Sequence, residues 1–258
     1  MIARLGKRVL IVGAHADDIE IGCGGTALRL MSQGTEVTAL VVTDTHYVRG
    51  DVVHRDSSQS QREATAAAKT MGYQTYFGTA RNNDVKVTSE LVYFIRDYIE
   101  KCKADTILTH WDGDAHLDHR NVAAATMMAT RDPRNLLMYR TNFYISPEAF
   151  RPNLLVDITD HIETKMKALA CYRAELERNG DAYFDWVRHA NRVSGATAGT
   201  GYAEEFQIVK YYLQDHPFCF SNGPQELFVH ERHNFGGWLR LPVVSHYPCN
   251  IKATPSHL

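Results

Sequence analysis

The stretch Val9-Leu10-Ile11-Val12-Gly13-Ala14-His15-Ala16-Asp17-Asp18 constrains this chain more than any other. It is an apolar strand that ends by presenting a histidine and two adjacent carboxylates. The run Gly22-Cys23-Gly24-Gly25-Thr26 follows at once and reads as a tight entry into a helix. A buried parallel strand that delivers polar side chains at its carboxyl end is how an α/β protein builds a site at the edge of its sheet. A second such run, Thr109-His110-Trp111-Asp112-Gly113-Asp114-Ala115-His116-Leu117-Asp118-His119, follows the strand-like residues 105–108. Two strand ends that each carry His and Asp can converge on one metal ion.

The rest of the pattern supports that frame. Apolar runs at 9–12, 36–43, 73–77 and 106–108 alternate with amphipathic segments through 27–31, 60–71, 87–103 and 119–130. Alternating strands and helices imply right-handed crossovers and a mostly parallel sheet. A polar loop is expected at 44–58. After Pro133 the rhythm changes: strands are expected at 136–144 and 154–158, one long helix at 160–178, a loop over 195–201 and an ordered segment at 203–213. The expected organisation is one α/β domain over residues 1–213, followed by a 214–258 extension that has no clear period.

At 258 residues the chain is long enough to bury a full core in a single domain. Its 28 Lys and Arg balance 30 Asp and Glu, and no basic stripe points to nucleic acid. The five cysteines (Cys23, Cys102, Cys171, Cys219, Cys249) form no Cys-x-x-Cys pair, which argues against a disulfide framework. No stretch has the length of a membrane span or the apolar core of a signal peptide. A soluble, cytoplasmic protein is expected.

A hydrolytic zinc site needs three nitrogen or oxygen ligands and one open position for water. His15, Asp18 and His119 supply that set. Asp17, next to a ligand yet pointing elsewhere, is placed to act as general base toward the bound water. His116 sits three residues before His119 and can share its face, where it would stabilise an oxyanion or protonate a leaving amine. Asp118 or Asp114 can hold a histidine in the required tautomer.

These two motifs resemble those of the zinc-dependent N-deacetylases named for the GlcNAc-phosphatidylinositol deacetylase and for the lincomycin-pathway protein LmbE (the PIG-L/LmbE family). The resemblance spans about residues 7 to 212. It implies a Rossmann-like three-layer sandwich, zinc held by His15, Asp18 and His119 (with Fe2+ as an alternative), Asp17 as base, and His116 beside the oxyanion. Gln61-Arg62-Glu63-Ala64 is similar to a family helix start whose arginine reaches substrate, which would give that role to Arg62. Ala203-Glu204-Glu205-Phe206 resembles a late family motif, where Glu204 and Glu205 read as structural. Ala16 stands where the family has proline, and Ile19 where it has glutamate, with Glu20 one place later.

The expected activity is hydrolysis of an N-acetyl group from an amino-sugar-containing small molecule, with zinc-bound water as nucleophile. The alternatives are an amidase on a non-sugar N-acyl conjugate and a non-catalytic nucleotide-binding α/β protein. Asp44 and Asp114 are further candidates for substrate contact, and Tyr47 and Trp111 for stacking on a sugar ring. His230-Glu231-Arg232-His233 reads as surface. No nucleic-acid or membrane partner is expected, and homo-oligomerisation stays open.

Overall fold

Along the central strands, successive side chains feed two different cores. The computed structural model describes residues 5–132, 134–142, 146 and 148–212 (the Arg49 side chain excepted), together with the backbone of 227–232 and 238–243. In β1 (Arg8–Gly13), Val9 and Ile11 enter one core, and Leu10 and Val12 the other. β2 (Glu36–Thr43), β6 (Thr106–His110) and β7 (Asn135–Tyr139) divide their apolar residues in the same way. Strands buried on both faces read as unbroken apolar runs, which is why they are legible in the sequence. The first core is closed by α1 (Asp18–Ser32), α2 (Ser57–Met71), α5 (Ile162–Leu169) and α7 (Ala182–Ala198). The second is closed by α3 (Ser89–Lys101) and α4 (Leu117–Ala129). The result is a three-layer α/β sandwich.

The sheet runs β5 (Gln74–Ala80), β2, β1, β6, β7, β9 (Ala203–Lys210), β8 (Leu154–Asp157). The first five are parallel; β9 is antiparallel to both of its neighbours. The chain winds outward from β1 to β2 and β5, then crosses back to β6 and β7. The winding direction therefore reverses between β1 and β6, where open α/β sheets leave a crevice at the strand carboxyl ends.

Side chains cap the starts of α2, α3 and α4, but not those of α1, α5, α6 (Arg173–Asn179) and α7. Asp56 accepts the Gln59 N–H (2.8 Å) at α2, and Thr88 the Leu91 N–H (3.3 Å) at α3. α1 differs in its backbone: its first turn follows Asp17 at φ 101°, and it breaks at Cys23 (φ −149°). A non-glycine residue in that region is strained, and such strain collects at functional sites.

Three sequence expectations are corrected. The 44–58 segment is not only loop but carries the hairpin β3 (Tyr47–Arg49) and β4 (Val52–Arg55). Its valines, Val48, Val52 and Val53, face solvent, so no strand-like burial pattern marks it. The long helix expected over 160–178 is two helices, α5 and α6 (Arg173–Asn179), because the chain turns between them to bury Tyr172, whose hydroxyl donates to Glu20 (2.8 Å). The loop expected over 195–201 is partly helix, since α7 continues to Ala198. Gly195 allows this by letting the chain fold back: a Cβ there would lie 2.6 Å from the Gly201 carbonyl oxygen.

Residues Met1–Tyr212 form one compact unit and Leu213–Leu258 another. In the second, β10 (Leu227–Arg232) pairs antiparallel with β11 (Trp238–Val243). The 230–233 sequence motif lies outside the described side chains.

Gly22 is packed so that a Cβ would collide with the Tyr139 ring. Gly22→Ala is therefore expected to cost about 1–3 kcal/mol by overpacking. Thermal unfolding checks this, and an unchanged Tm would show that the ring yields freely.

Candidate metal centre and catalytic cavity

His15 follows the end of β1, and His116 and His119 follow the end of its neighbour β6, so residues about a hundred positions apart meet at the crevice. Carboxylates hold both imidazoles that face each other there. His15 Nε2 lies 3.0 Å from Asp118 Oδ2, and His119 Nδ1 lies 3.1 Å from Asp114 Oδ2. An ionised carboxylate only accepts, so His15 donates from Nε2 and His119 from Nδ1. Their other nitrogens, His15 Nδ1 and His119 Nε2, are left as acceptors 3.2 Å apart.

Asp18 completes the group, with Oδ2 3.4 Å from His15 Nδ1 and Oδ1 3.3 Å from His119 Nε2. Tetrahedral coordination with bonds of about 2.0–2.1 Å places neighbouring donors about 3.3–3.4 Å apart. Acceptor atoms crowded this way repel one another unless a cation lies among them. Two imidazole nitrogens and a carboxylate suit zinc or ferrous iron. Among the described residues two overlapping groups of donors lie close enough to share an ion, His15 with His116 and His119, and Asp18 with His110 and His119, and the chemistry of these donors suits a divalent metal.

The carboxylates behind the imidazoles are themselves anchored. Asp118 accepts the Asn83 (2.7 Å) and Val85 (3.1 Å) N–H groups, and Asp114 accepts the His116 N–H (2.8 Å) and Asn142 Nδ2 (3.0 Å). Burial works against ionising Asp114, but the His119 hydrogen bond and charge outweigh it and bring its carboxyl down to about 2. Burial likewise disfavours a charged His119, yet Asp18 and Asp114 raise it to about 10. The site therefore favours positive charge at this spot: a proton on His119 Nε2 supplies it when no metal is bound, and a metal would take that proton's place.

Asp17 and His116 flank the donor set. Asp17 is buried (8% exposed) and lines the cavity. Burial pushes its carboxyl up to about 7, against the pull of Arg55, whose Nη2 is 3.9 Å from Asp17 Oδ2. His116 is the cap of α4: its Nδ1 accepts the Asp118 N–H (3.2 Å), so its proton is on Nε2. Burial and then the neighbouring His15 and His119 lower it to about 4, and the ring is a neutral donor at pH 7.

The structure separates the other candidates. Arg62 is exposed, donates to Ser58 Oγ (3.0 Å) and does not line the cavity. Asp44 holds the loop instead, accepting the His46 (3.0 Å) and Asn82 (3.2 Å) N–H groups. Asp114 stands behind His119, away from the cavity wall. Tyr47 lines the cavity, whereas Trp111 is buried against Phe150.

Other residues at the site have no role assigned from the sequence, although His110 stands in the 109–119 run. His110 ends β6, accepts the Ala14 N–H (2.9 Å) and stacks on His119 at 4.0 Å, tying the two strand ends together. Its place as the last residue of a buried strand, at the head of the His- and Asp-rich run, was the available signal. Arg55, 6% exposed, reaches the cavity from β4 and pairs with Glu175 of α6, which also takes Arg178 and Asn179. The cavity, about 600 Å³, is also lined by Asn82, Asn83, Asn142, Tyr47, Tyr183 and Trp186. That volume lies within the range of small-molecule sites.

The family model described as "PIG-L: GlcNAc-PI de-N-acetylase" matches residues 10–130. The uncharacterized deacetylase YaiS of Escherichia coli is 30% identical over 142 residues, covering 52% of this chain and 74% of that protein. The diacetylchitobiose deacetylase of Thermococcus kodakarensis is 26% identical over 243 residues, covering 83% and 87%. Among solved structures, the N,N'-diacetylchitobiose deacetylase of Pyrococcus horikoshii superposes with a TM-score of 0.68 at 22% identity, over 84% of this chain and 88% of that one. The strand-end His and Asp clusters both fall within the matched residues, and this chain belongs to the PIG-L de-N-acetylase family.

Proposed function

We propose that the chain is a metal-dependent N-deacetylase that frees acetate from the nitrogen of an amino-sugar-containing small molecule. The observation that carries this reading is the convergence of His15 Nδ1, His119 Nε2 and the Asp18 carboxylate at 3.2–3.4 Å, with Asp17 beside them. Those three residues would hold the ion; a divalent metal there acidifies a water and polarises an acyl oxygen.

The chain's own groups do the rest. Asp17 takes a proton from the attacking water as the water adds to the acyl carbon. Negative charge then develops on the acyl oxygen, and His116, whose proton is on Nε2 and whose ring lies 4.9 Å from that of His15 and 4.6 Å from that of His119, receives it. A neutral imidazole held by its backbone bond can stabilise this charge as a hydrogen-bond donor without giving up its proton. The C–N bond breaks as Asp17 returns its proton to the departing amine. Acetate and the free amine leave. The asparagines Asn82, Asn83 and Asn142 and the aromatics Tyr47, Tyr183 and Trp186 supply the polar and planar contacts that a sugar ring requires.

Acetate release from a panel of N-acetylated sugars and non-sugar N-acetyl conjugates tests the reading; turnover confined to the non-sugar members would replace it with a general amidase. Asp17→Ala should retain metal and lose turnover by about 10²–10⁴-fold. His119→Ala should lose the metal itself, measured by elemental analysis of the purified chain. Chelation should abolish activity and added Zn2+ restore it.

The two arginines should differ. Arg55→Met removes one partner of a buried ion pair and should cost about 3 kcal/mol, the low end for such a change, because Glu175 keeps Arg178 and Asn179. Arg62→Met should stay within about 0.5 kcal/mol, as an exposed substitution does. Denaturant unfolding of the pair checks both figures.

A further inference from the structure

Helix α1 is broken at Cys23, immediately after the turn that carries Asp18. In a regular helix the Gly25 N–H would donate to the Ile21 carbonyl. Here the two groups are met instead by the two halves of a buried ion pair. Gly25 N–H donates to Glu204 Oε1 (2.9 Å) and Thr26 N–H to Glu204 Oε2 (2.7 Å). Lys165 Nζ donates to the Ile21 carbonyl (2.8 Å), to Glu204 Oε1 (2.6 Å) and to Asn191 Oδ1 (2.8 Å).

Lys165 is 0% and Glu204 1% exposed, and every ammonium proton has an acceptor. The two come from distant elements, α5 and β9. Beside them the backbone is tightly enclosed at Gly25, where a Cβ would lie 2.7 Å from Ile158.

A wholly buried ion pair is a poor source of stability, because desolvating two charges offsets most of their attraction. What this pair does supply is direction. It spans both sides of the break and sets the angle at which the first turn of α1, starting at Asp18, leaves the rest of the helix. We infer that Lys165 and Glu204 are positioning residues that seal the break in α1 and thereby aim Asp17 and Asp18 into the cavity. The inference rests on the proposed reading of Asp18 as a metal ligand and Asp17 as the base.

The test uses the full chain with Co2+, whose visible absorption reports the geometry of its ligands. Lys165→Met and Glu204→Gln each leave a buried charge without its partner and should lower Tm. The neutral double variant Lys165→Met/Glu204→Gln should recover most of that Tm. It should nonetheless bind Co2+ about tenfold more weakly, the low end for an outer-shell change. Its absorption spectrum should be altered, and kcat for acetate release should fall more than KM rises. Should the double variant fail to fold, Glu204→Asp makes the same comparison, since it keeps the charge and withdraws the carboxylate from the Gly25 and Thr26 N–H groups. A folded variant with wild-type Co2+ affinity, spectrum and kcat overturns the inference and leaves the pair purely structural. A wild-type chain that binds no Co2+ overturns the ligand reading itself, and the inference with it.

Discussion

Two histidines held with their acceptor nitrogens facing each other are the constraint on which this structure turns. His15 is fixed from behind by Asp118 and His119 by Asp114, and each carboxylate is fixed in turn by backbone or amide N–H groups. This order of support runs from backbone to carboxylate to imidazole to the open centre. Outer partners of this kind set the tautomer and orientation of a metal-binding histidine and raise its basicity. With Asp18 added, the centre is an excess of acceptors in a desolvated place, an arrangement that is costly without a cation.

The sheet explains why the centre forms where it does. β1 and β6 are parallel neighbours, so their carboxyl ends lie one strand spacing apart although their sequences are distant. The chain reverses its winding there, and no crossover helix fills the gap. His110 joins the two strand ends through the Ala14 N–H, and Tyr139 of the next strand donates to the Val12 carbonyl (2.9 Å). The strained Asp17 backbone and the His116 cap both occur where a strand gives way to a helix. At the first junction Asp17 lines the cavity and leaves its helix without a side-chain cap; at the second His116 caps its helix through Nδ1 and lines the cavity as well.

Another part of the cavity lining has a different origin. The β3–β4 hairpin brings Tyr47, His54 and Arg55, and α6 and α7 bring Glu175, Arg178, Tyr183 and Trp186. Glu175 binds these walls together by taking Arg55 from one and Arg178 and Asn179 from its own helix. The His and Asp cluster thus rests on the strand ends of the sheet, and this part of the lining on the hairpin and on α6 and α7.

The sequence by itself determined the layered α/β architecture, the strands buried on both faces and the two motifs at the strand ends. These are short-range patterns: apolar runs mark buried strands, and side chains a few residues apart on one turn meet wherever that turn is placed. His15, Asp17, Asp18, His116 and His119 were legible for this reason. Only the tertiary structure decided that Arg55 rather than Arg62 reaches the cavity, because the rotation of α2 turns Arg62 to solvent while a hairpin with no burial pattern delivers Arg55. It also placed Asp114 behind His119 and held Asp44 in its loop. It alone brought Lys165 and Glu204, 39 residues apart, to the two sides of the break in α1. No local pattern could have announced these contacts, since each depends on the packed position of an element from another part of the chain.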